Sequence, residues 1–194
     1  MAVREREVEP AVLNYGQYAN EGETPGRYEI VKGVREWMTS PHAYHQDIAQ
    51  NIYLAFRTFH RTRRSGRAYM APMDVVTVKS PLTVRQPDVL FISNERWGDR
   101  GPTAPMPLDI APELVVEVLS PSETKRMIGA KMREYASANV LEAWIVRPEE
   151  KTVEVWQLSI GREPSVAARY GDKGSIVSRV FPGLAVDASS VFEF

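Results

Sequence analysis

The chain has 194 residues, 43% hydrophobic and 25% charged, with a formal net charge of −1. That is enough for one domain with a sizeable core, and the charge gives no global pull towards nucleic acid, so any anion-binding surface must be local. The absence of cysteine excludes a disulfide scaffold, a thiolate zinc site and a cysteine nucleophile. The charged start "MAVREREVEP" is not a signal peptide, and no apolar run approaches the roughly 18 residues of a membrane span. The expectation is a soluble, cytoplasmic protein with no membrane partner.

In chain order, residues 1–25 read as a polar arm with a short helix near Val12–Tyr18, followed by a single domain over 26–194. "RYEIVKGVREW" predicts a β-hairpin turning at Lys32-Gly33. From His42 to about Arg64 the spacing of His45, Ile48, Ala49, Ile52, Phe56 and Phe59 predicts a helix with one apolar face. "AYMAPMDVVTV" and "RQPDVLFIS" read as strands separated by "KSPLT". "NERWGDRGPTAPMPLDIAP" is a long loop rich in Pro and Gly. "ELVVEVL" predicts a strand buried on both faces. "SPSE" predicts a helix start, with Ser120 as N-cap, Pro121 in the first helical position and Glu123 completing a capping box. This helix runs to about Ser137 and buries Ile128, Met132 and Tyr135. "LEAWIVRPEEKTVEVWQL" is a hairpin with its turn at 148–150, and short strands surround the turn signals "GDKG" and "FPGL". Mixed strands with helices on the sheet faces make the fold α/β, or α+β with a mixed sheet.

Two acids stand where an apolar residue would be cheaper: Asp88 and Glu117. Alternation puts Glu117 on one strand face with Val115 and Leu119, and Asp88 on a face with Leu90 and Ile92. If the strands are neighbours, the two carboxylates meet, and one must take up a proton or both must bind a cation. Oxygen donors suit Mg²⁺ or Mn²⁺. The alternative for each acid is an arginine partner or a strand-end cap. Lys131 flanks the apolar stripe of the following helix and can reach the acids. Lys125 borders the other edge of that stripe and is the second choice, although either lysine could be an ordinary solvated one. His45 lies on the apolar face of its helix, where a histidine is more often a hydrogen-bonded core residue than a catalyst. His42 and His45 could form a two-ligand zinc corner, but a third ligand is not evident. "RTFHRTRRSGR" sets Arg57, Arg61 and Arg64 away from the apolar stripe. They form either a phosphate grip or a solvated, dipole-favoured helix end. There is no Gly-rich phosphate loop and no G-x-S-x-G elbow.

"QPDVLFI", "PELVVEVLSPS" and "GAKMREYASANVLEAWIVRP", with "YEIVKG", "SPHAYHQ" and "FPGLAVD", resemble the Uma-type restriction endonuclease family of the PD-(D/E)xK nuclease superfamily. The resemblance runs from about Tyr28 to Phe194. It implies a restriction-endonuclease-like core, a central mixed sheet flanked by helices with an N-terminal β-hairpin. Asp88 then matches the motif aspartate and Glu117 the motif glutamate, both as metal ligands. Leu119 occupies the superfamily's usual lysine position, and Lys131 matches a lysine supplied from the next helix. His45 and Glu29 match a helix histidine and a hairpin acid of the family. Lys32, Met127 and Arg147 stand where relatives often carry Asp. The implied activity is Mg²⁺- or Mn²⁺-dependent phosphodiester hydrolysis of nucleic acid, DNA before RNA, by a homodimer. Arg57, Arg61, Arg64 and Lys125 would contact the nucleic acid. Two rivals remain: a nucleic-acid-binding or assembly protein on a nuclease fold with a weak site, and a metal-free hydrolase using Asp88 and Glu117 as an acid–base pair.

Overall fold

The computed structural model describes residues 12–22, 24–101, 103–104, 107 and 110–194. Residues 1–11 and 23 of the expected N-terminal arm and part of the long Pro/Gly-rich loop therefore lie outside the described residues. The elements are α1 (Tyr15–Ala19), β1 (Tyr28–Val31), β2 (Val34–Trp37), α2 (Ala43–Arg63), β3 (Gly66–Met70), β4 (Val75–Lys79), β5 (Leu82–Arg85) and β6 (Val89–Ser93). They continue with α3 (Asn94–Trp97), β7 (Leu114–Val118), α4 (Lys125–Ser137), β8 (Glu142–Arg147), β9 (Thr152–Gln157), β10 (Ser165–Tyr170), β11 (Ser175–Val177), β12 (Ala185–Asp187) and α5 (Ala188–Val191).

The centre is a six-stranded sheet in the order β10-β9-β8-β7-β6-β3. Only β7 and β8 pair in parallel, and α4 is the crossover between them; the other pairs in this sheet are antiparallel. Every residue of β7 is buried, which is why its sequence is almost uninterrupted Leu and Val. Its alternation works as expected. Leu114, Val116 and Val118 pack with Ile48, Ile52 and Phe56 of α2 on one face. Val115 and Leu119 pack with Ile128, Met132 and Tyr135 of α4 on the other. Each such side chain, fully buried, stabilises the fold by about 1.5–3 kcal/mol relative to exposure.

The predicted hairpin turns at Lys32 and Gly33, with φ of 51° and 85°, the left-handed pair that a tight two-residue turn needs. It is half of a second sheet, ordered β2-β1-β5-β4. This corrects the expected strand pattern. "AYMAPMDVVTV" is not one strand but β3 and β4 in different sheets, and "RQPDVLFIS" is likewise β5 and β6. Pro72 and Pro87 mark the two crossings, because proline has no N–H to give to a ladder. Within "KSPLT", Ser80 and Pro81 are thereby the turn of the β4–β5 hairpin, closed by the pairing of Lys79 with Leu82. At the end of α2, Gly66 is required by a close approach: a Cβ there would lie 2.2 Å from the Ile92 carbonyl oxygen.

The second correction is the start of α4. The N-cap is Thr124, whose hydroxyl accepts from the Met127 N–H at 3.3 Å. Ser120 and Glu123 do pair reciprocally, with Glu123 N–H donating to the Ser120 carbonyl and Ser120 N–H to Glu123 Oε2. They close a turn before the helix rather than its first turn. The same side-chain chemistry satisfies either structure.

Candidate active site

The split between the two sheets opens a cleft of about 1100 Å³ at the carboxyl end of β7. Asp88 lies one residue before β6, and the antiparallel register of Val89 with Val116 sets it beside Glu117. Both acids are buried, at 7% and 5% exposure, and both line the cleft.

Each acid has its own set of partners. Asp88 Oδ1 accepts from the Arg27 guanidinium at 3.2 Å. Its Oδ2 accepts from the Val118 N–H at 2.9 Å and lies 3.3 Å from His45 Nε2. Glu117 Oε1 accepts from the Tyr135 hydroxyl at 2.5 Å, and Oε2 from Lys131 Nζ at 3.0 Å. Lys131 is also 3.3 Å from Glu123 and 4.0 Å from Glu29. Glu29 in turn accepts from Arg85 Nη1 at 2.6 Å and from the Gln86 N–H at 3.2 Å, and Arg85 Nε donates to Glu134 at 2.7 Å.

The two acids titrate in opposite directions. Burial alone would raise Asp88, but the His45 hydrogen bond and charge, the Val118 N–H and Arg27 outweigh it and hold Asp88 below the ordinary aspartate value. Glu117 is pushed up to about 7, first by burial and then by the nearby carboxylates of Glu29 and Asp88; Lys131 and the Tyr135 hydroxyl only partly offset this. Lys131 is raised above the ordinary lysine value, because Glu117, Glu29 and Glu123 together outweigh its burial. His45 is raised as well, the Asp88 contact outweighing its burial.

The cleft lining carries eight carboxylates against six lysine and arginine side chains. Among the described residues, no group of three His, Cys, Asp or Glu side chains is arranged as a metal cluster. The donor chemistry nevertheless suits a hard divalent cation. Asp88 and Glu117 offer adjacent oxygens, and Glu117 uses two of the roughly four acceptor positions a carboxylate has. Its pKa is raised first by burial and then by the neighbouring carboxylates, and a cation beside it would offset the second of these.

The sequence reading brings together Asp88, Glu117, Lys131, His45 and Glu29, all of which line this cleft. Lys131, not Lys125, reaches Glu117; Lys125 is exposed and does not line the cleft. Leu119 is buried in the core beneath α4, and the lysine beside Glu117 belongs to that helix. Arg57, Arg61 and Arg64 do not line the cleft. They lie about 18–28 Å from His45 along α2, at 1.5 Å per residue. Any phosphate they contact would therefore lie away from the acids. The second ligand of the suggested zinc corner, His42, lines the cleft, but the contact recorded for His45 is with Asp88.

Four further residues emerge from the structure. Arg27 opens the hairpin segment, with no periodicity to mark it. Tyr135 reads as a core side chain, and only the tertiary structure aims its hydroxyl at Glu117. Glu123 reads as a helix cap, and Arg85 as a strand residue. Two arginines, one glutamate and one tyrosine in ordinary structural contexts carried no signal of a site in the sequence.

A family model described as "Putative restriction endonuclease" (Uma2) matches residues 14–189, and the chain belongs to that family. Family membership places it among proteins described as nucleases. The fold is similar to the crystal structure of a "putative nuclease belonging to DUF820" from Anabaena variabilis ATCC 29413. That match has a TM-score of 0.74 at 17% identity, covering 93% of this chain and 97% of the other. A search of curated proteins finds no match. Among the described residues, no helix is long and apolar enough to cross a membrane.

Proposed function

We propose that the chain is a metal-dependent endonuclease that hydrolyses phosphodiester bonds of nucleic acid, with DNA as substrate. The observation that carries the reading is Lys131 Nζ at 3.0 Å from Glu117: a helix-borne amine reaches the acid pair where the strand itself offers only Leu119. Asp88 and Glu117 would hold a Mg²⁺ or Mn²⁺ ion, which when bound neutralises phosphate charge and lowers the pKa of a bound water.

The chain's own residues divide the remaining work. Val118 N–H and His45 orient Asp88, and Tyr135 orients Glu117, so that the acids need no rearrangement when substrate arrives. Lys131 stays protonated beside Glu117, since its pKa is raised. It is thus able to donate a hydrogen bond to the attacking water or to the negative charge that grows on the phosphoryl oxygens. Glu29, fixed by Arg85 and the Gln86 N–H, acts on Lys131 and is a positioning residue. A cytoplasmic homodimer, suited to the symmetry of a duplex, belongs to the same reading.

Purified protein with Mg²⁺ or Mn²⁺ should nick duplex DNA, and Asp88→Ala or Glu117→Ala should lower the rate by about 100-fold or more. Equal cleavage by wild type and both variants would sink the reading, and full activity in EDTA would favour the metal-free acid–base hydrolase. The Arg27–Asp88 contact favours a second reading, a nucleic-acid-binding protein on a nuclease fold. That reading expects DNA binding without metal-dependent cleavage, also after Arg27→Gln.

A further inference from the structure

The far end of α2 differs in charge from the cleft. Arg57, Arg61, Arg63 and Arg64 are exposed, and Arg67 on β3 is half-buried beside them. None of the five makes an ion pair with a described carboxylate. The stretch from Leu54 to Arg67 contains no Asp or Glu. In a chain of net charge −1, this is a segregated cationic face.

The face is also partly built. The Arg57 guanidinium lies 5.9 Å from the centre of the Tyr53 ring and donates to its hydroxyl at 2.6 Å. Arg67 lies 4.7 Å over the Trp97 ring and donates to Asn94 Oδ1 at 3.3 Å. Aromatic support of this kind holds guanidinium groups in place without neutralising them. His60, between them, uses Nδ1 to accept from the Gly66 N–H at 2.9 Å. Its pKa is lowered by burial and by the charges of Arg67 and Arg57, so a histidine within this face registers its positive field.

We propose that this arginine face is a second contact for the nucleic-acid backbone, separate from the cleft, and that it anchors duplex flanking the site of cleavage. The choice of ligand rests on the nuclease reading; the face itself does not. Several guanidiniums without a described carboxylate partner suit a polymer of phosphodiesters, each contact releasing a counterion. An offset of about 18–28 Å along α2 corresponds to roughly five to eight base pairs at about 3.4 Å each. In the cleft, Asp88 and Glu117 would hold the cation that meets the reacting phosphate, whereas this face binds phosphates directly.

The test is fluorescence anisotropy with the full chain in EDTA, so that nothing is cleaved, on a labelled duplex of about 25 base pairs between about 50 and 200 mM NaCl. Arg57→Ala/Arg61→Ala/Arg64→Ala should weaken binding by about tenfold or more and reduce the salt slope by about two to three units. Replacing the same three by Lys should keep most of the slope, because the charge remains. Arg61→Glu alone, at an exposed position, should weaken binding by about threefold or more without lowering Tm. An alanine variant with wild-type Tm and unchanged affinity and slope overturns the proposal. So does arginine-dependent binding to phosphatidylserine vesicles with unchanged binding to DNA. Arginine-dependent DNA binding by a protein that shows no metal-dependent cleavage leaves the proposal standing and removes the nuclease reading instead.

Discussion

Four buried carboxylates belong to the central strands or their immediate flanks, and they fall into two pairs. Glu113 and Glu142 sit where β7 and β8 begin; Asp88 and Glu117 sit at the other end, beside the cleft. Glu142 is almost fully buried, yet Oε1 accepts from the Trp144 indole N–H at 2.8 Å and Oε2 from the Arg179 N–H at 2.7 Å. Glu113 accepts from the Ser93 N–H and hydroxyl and pairs with Arg96 at 3.1 Å. Neither lines the cleft. They fasten neighbouring segments to the sheet, one near the start of α3 and the other before β12. Asp88 and Glu117 are as well buried, but they face a shared cleft, lie beside each other and titrate in opposite directions. An acid on an apolar strand is therefore not a site by itself. What distinguishes a site is a second acid alongside it and access for a ligand.

That contrast can be broken by substitution. Glu117→Gln and Asp88→Asn should abolish metal-dependent DNA cleavage, by about 100-fold or more, while both proteins remain folded. Glu142→Gln should do the reverse. It turns an amide towards one N–H donor, costing about 1–3 kcal/mol in urea denaturation, and leaves the rate per folded molecule within about twofold. If Glu142→Gln abolished cleavage without loss of stability, the division between the pairs would fail.

Lys131→Met should also cost activity, by about tenfold or more, and should raise Glu117 further, because Lys131 is the main group lowering it. Carboxylate infrared or ¹³C NMR titration measures that upward shift, which a purely structural loss would not produce. Lys125→Ala, outside the cleft, should change the rate by less than about twofold.

The pH dependence of stability separates the two cleft acids. Glu117 titrates near 7 in the folded chain against an ordinary value of 4.5. Between those values the folded chain holds a proton that the unfolded chain has released. Its stabilising contribution is therefore fully present below about 4.5 and is lost as pH rises through about 7. Asp88, held low by His45 and Arg27 despite its burial, contributes stability above its ordinary value and loses it as pH falls through its folded value. His45, raised by Asp88 despite its burial, contributes below its ordinary value and loses that as pH rises through its folded value. Wild-type Tm should thus decline between pH 5 and 8, and Glu117→Gln should remove the part of the decline below about 7. Mg²⁺ or Mn²⁺ should raise wild-type Tm at pH 8 and leave Asp88→Ala unmoved, since an ion bound only by the folded state stabilises it by mass action. Calorimetric titration of the same two proteins gives the direct measure. A wild-type Tm that rises from pH 5 to 8 would contradict the Glu117 assignment.

Much of the site was legible because strands and helices impose fixed periods. Alternation along β7 put Glu117 on the α4 face, and the 3.6-residue period put Lys131 within reach of that face. Arg27 and Tyr135 were not legible. Arg27 approaches Asp88 across 61 residues of chain, and Tyr135 differs from a core phenylalanine only by a hydroxyl. The division of "AYMAPMDVVTV" between two sheets was written in Pro72, but which sheet each half would join was a matter of long-range pairing.

The sequence by itself determined the main helices, the hairpins, the buried faces of β7 and α4 and the pair of acids, because local sterics and hydrophobic period act over a few residues. Only the tertiary structure decided that Asp88 and Glu117 are neighbours, that Lys131 and not Lys125 meets Glu117, and that burial and neighbouring carboxylates raise Glu117. It also set Arg57, Arg61 and Arg64 outside the cleft. Those facts are sums over charges and desolvation from β1, β5, β7 and α4 together, and such sums exist only once the chain has folded.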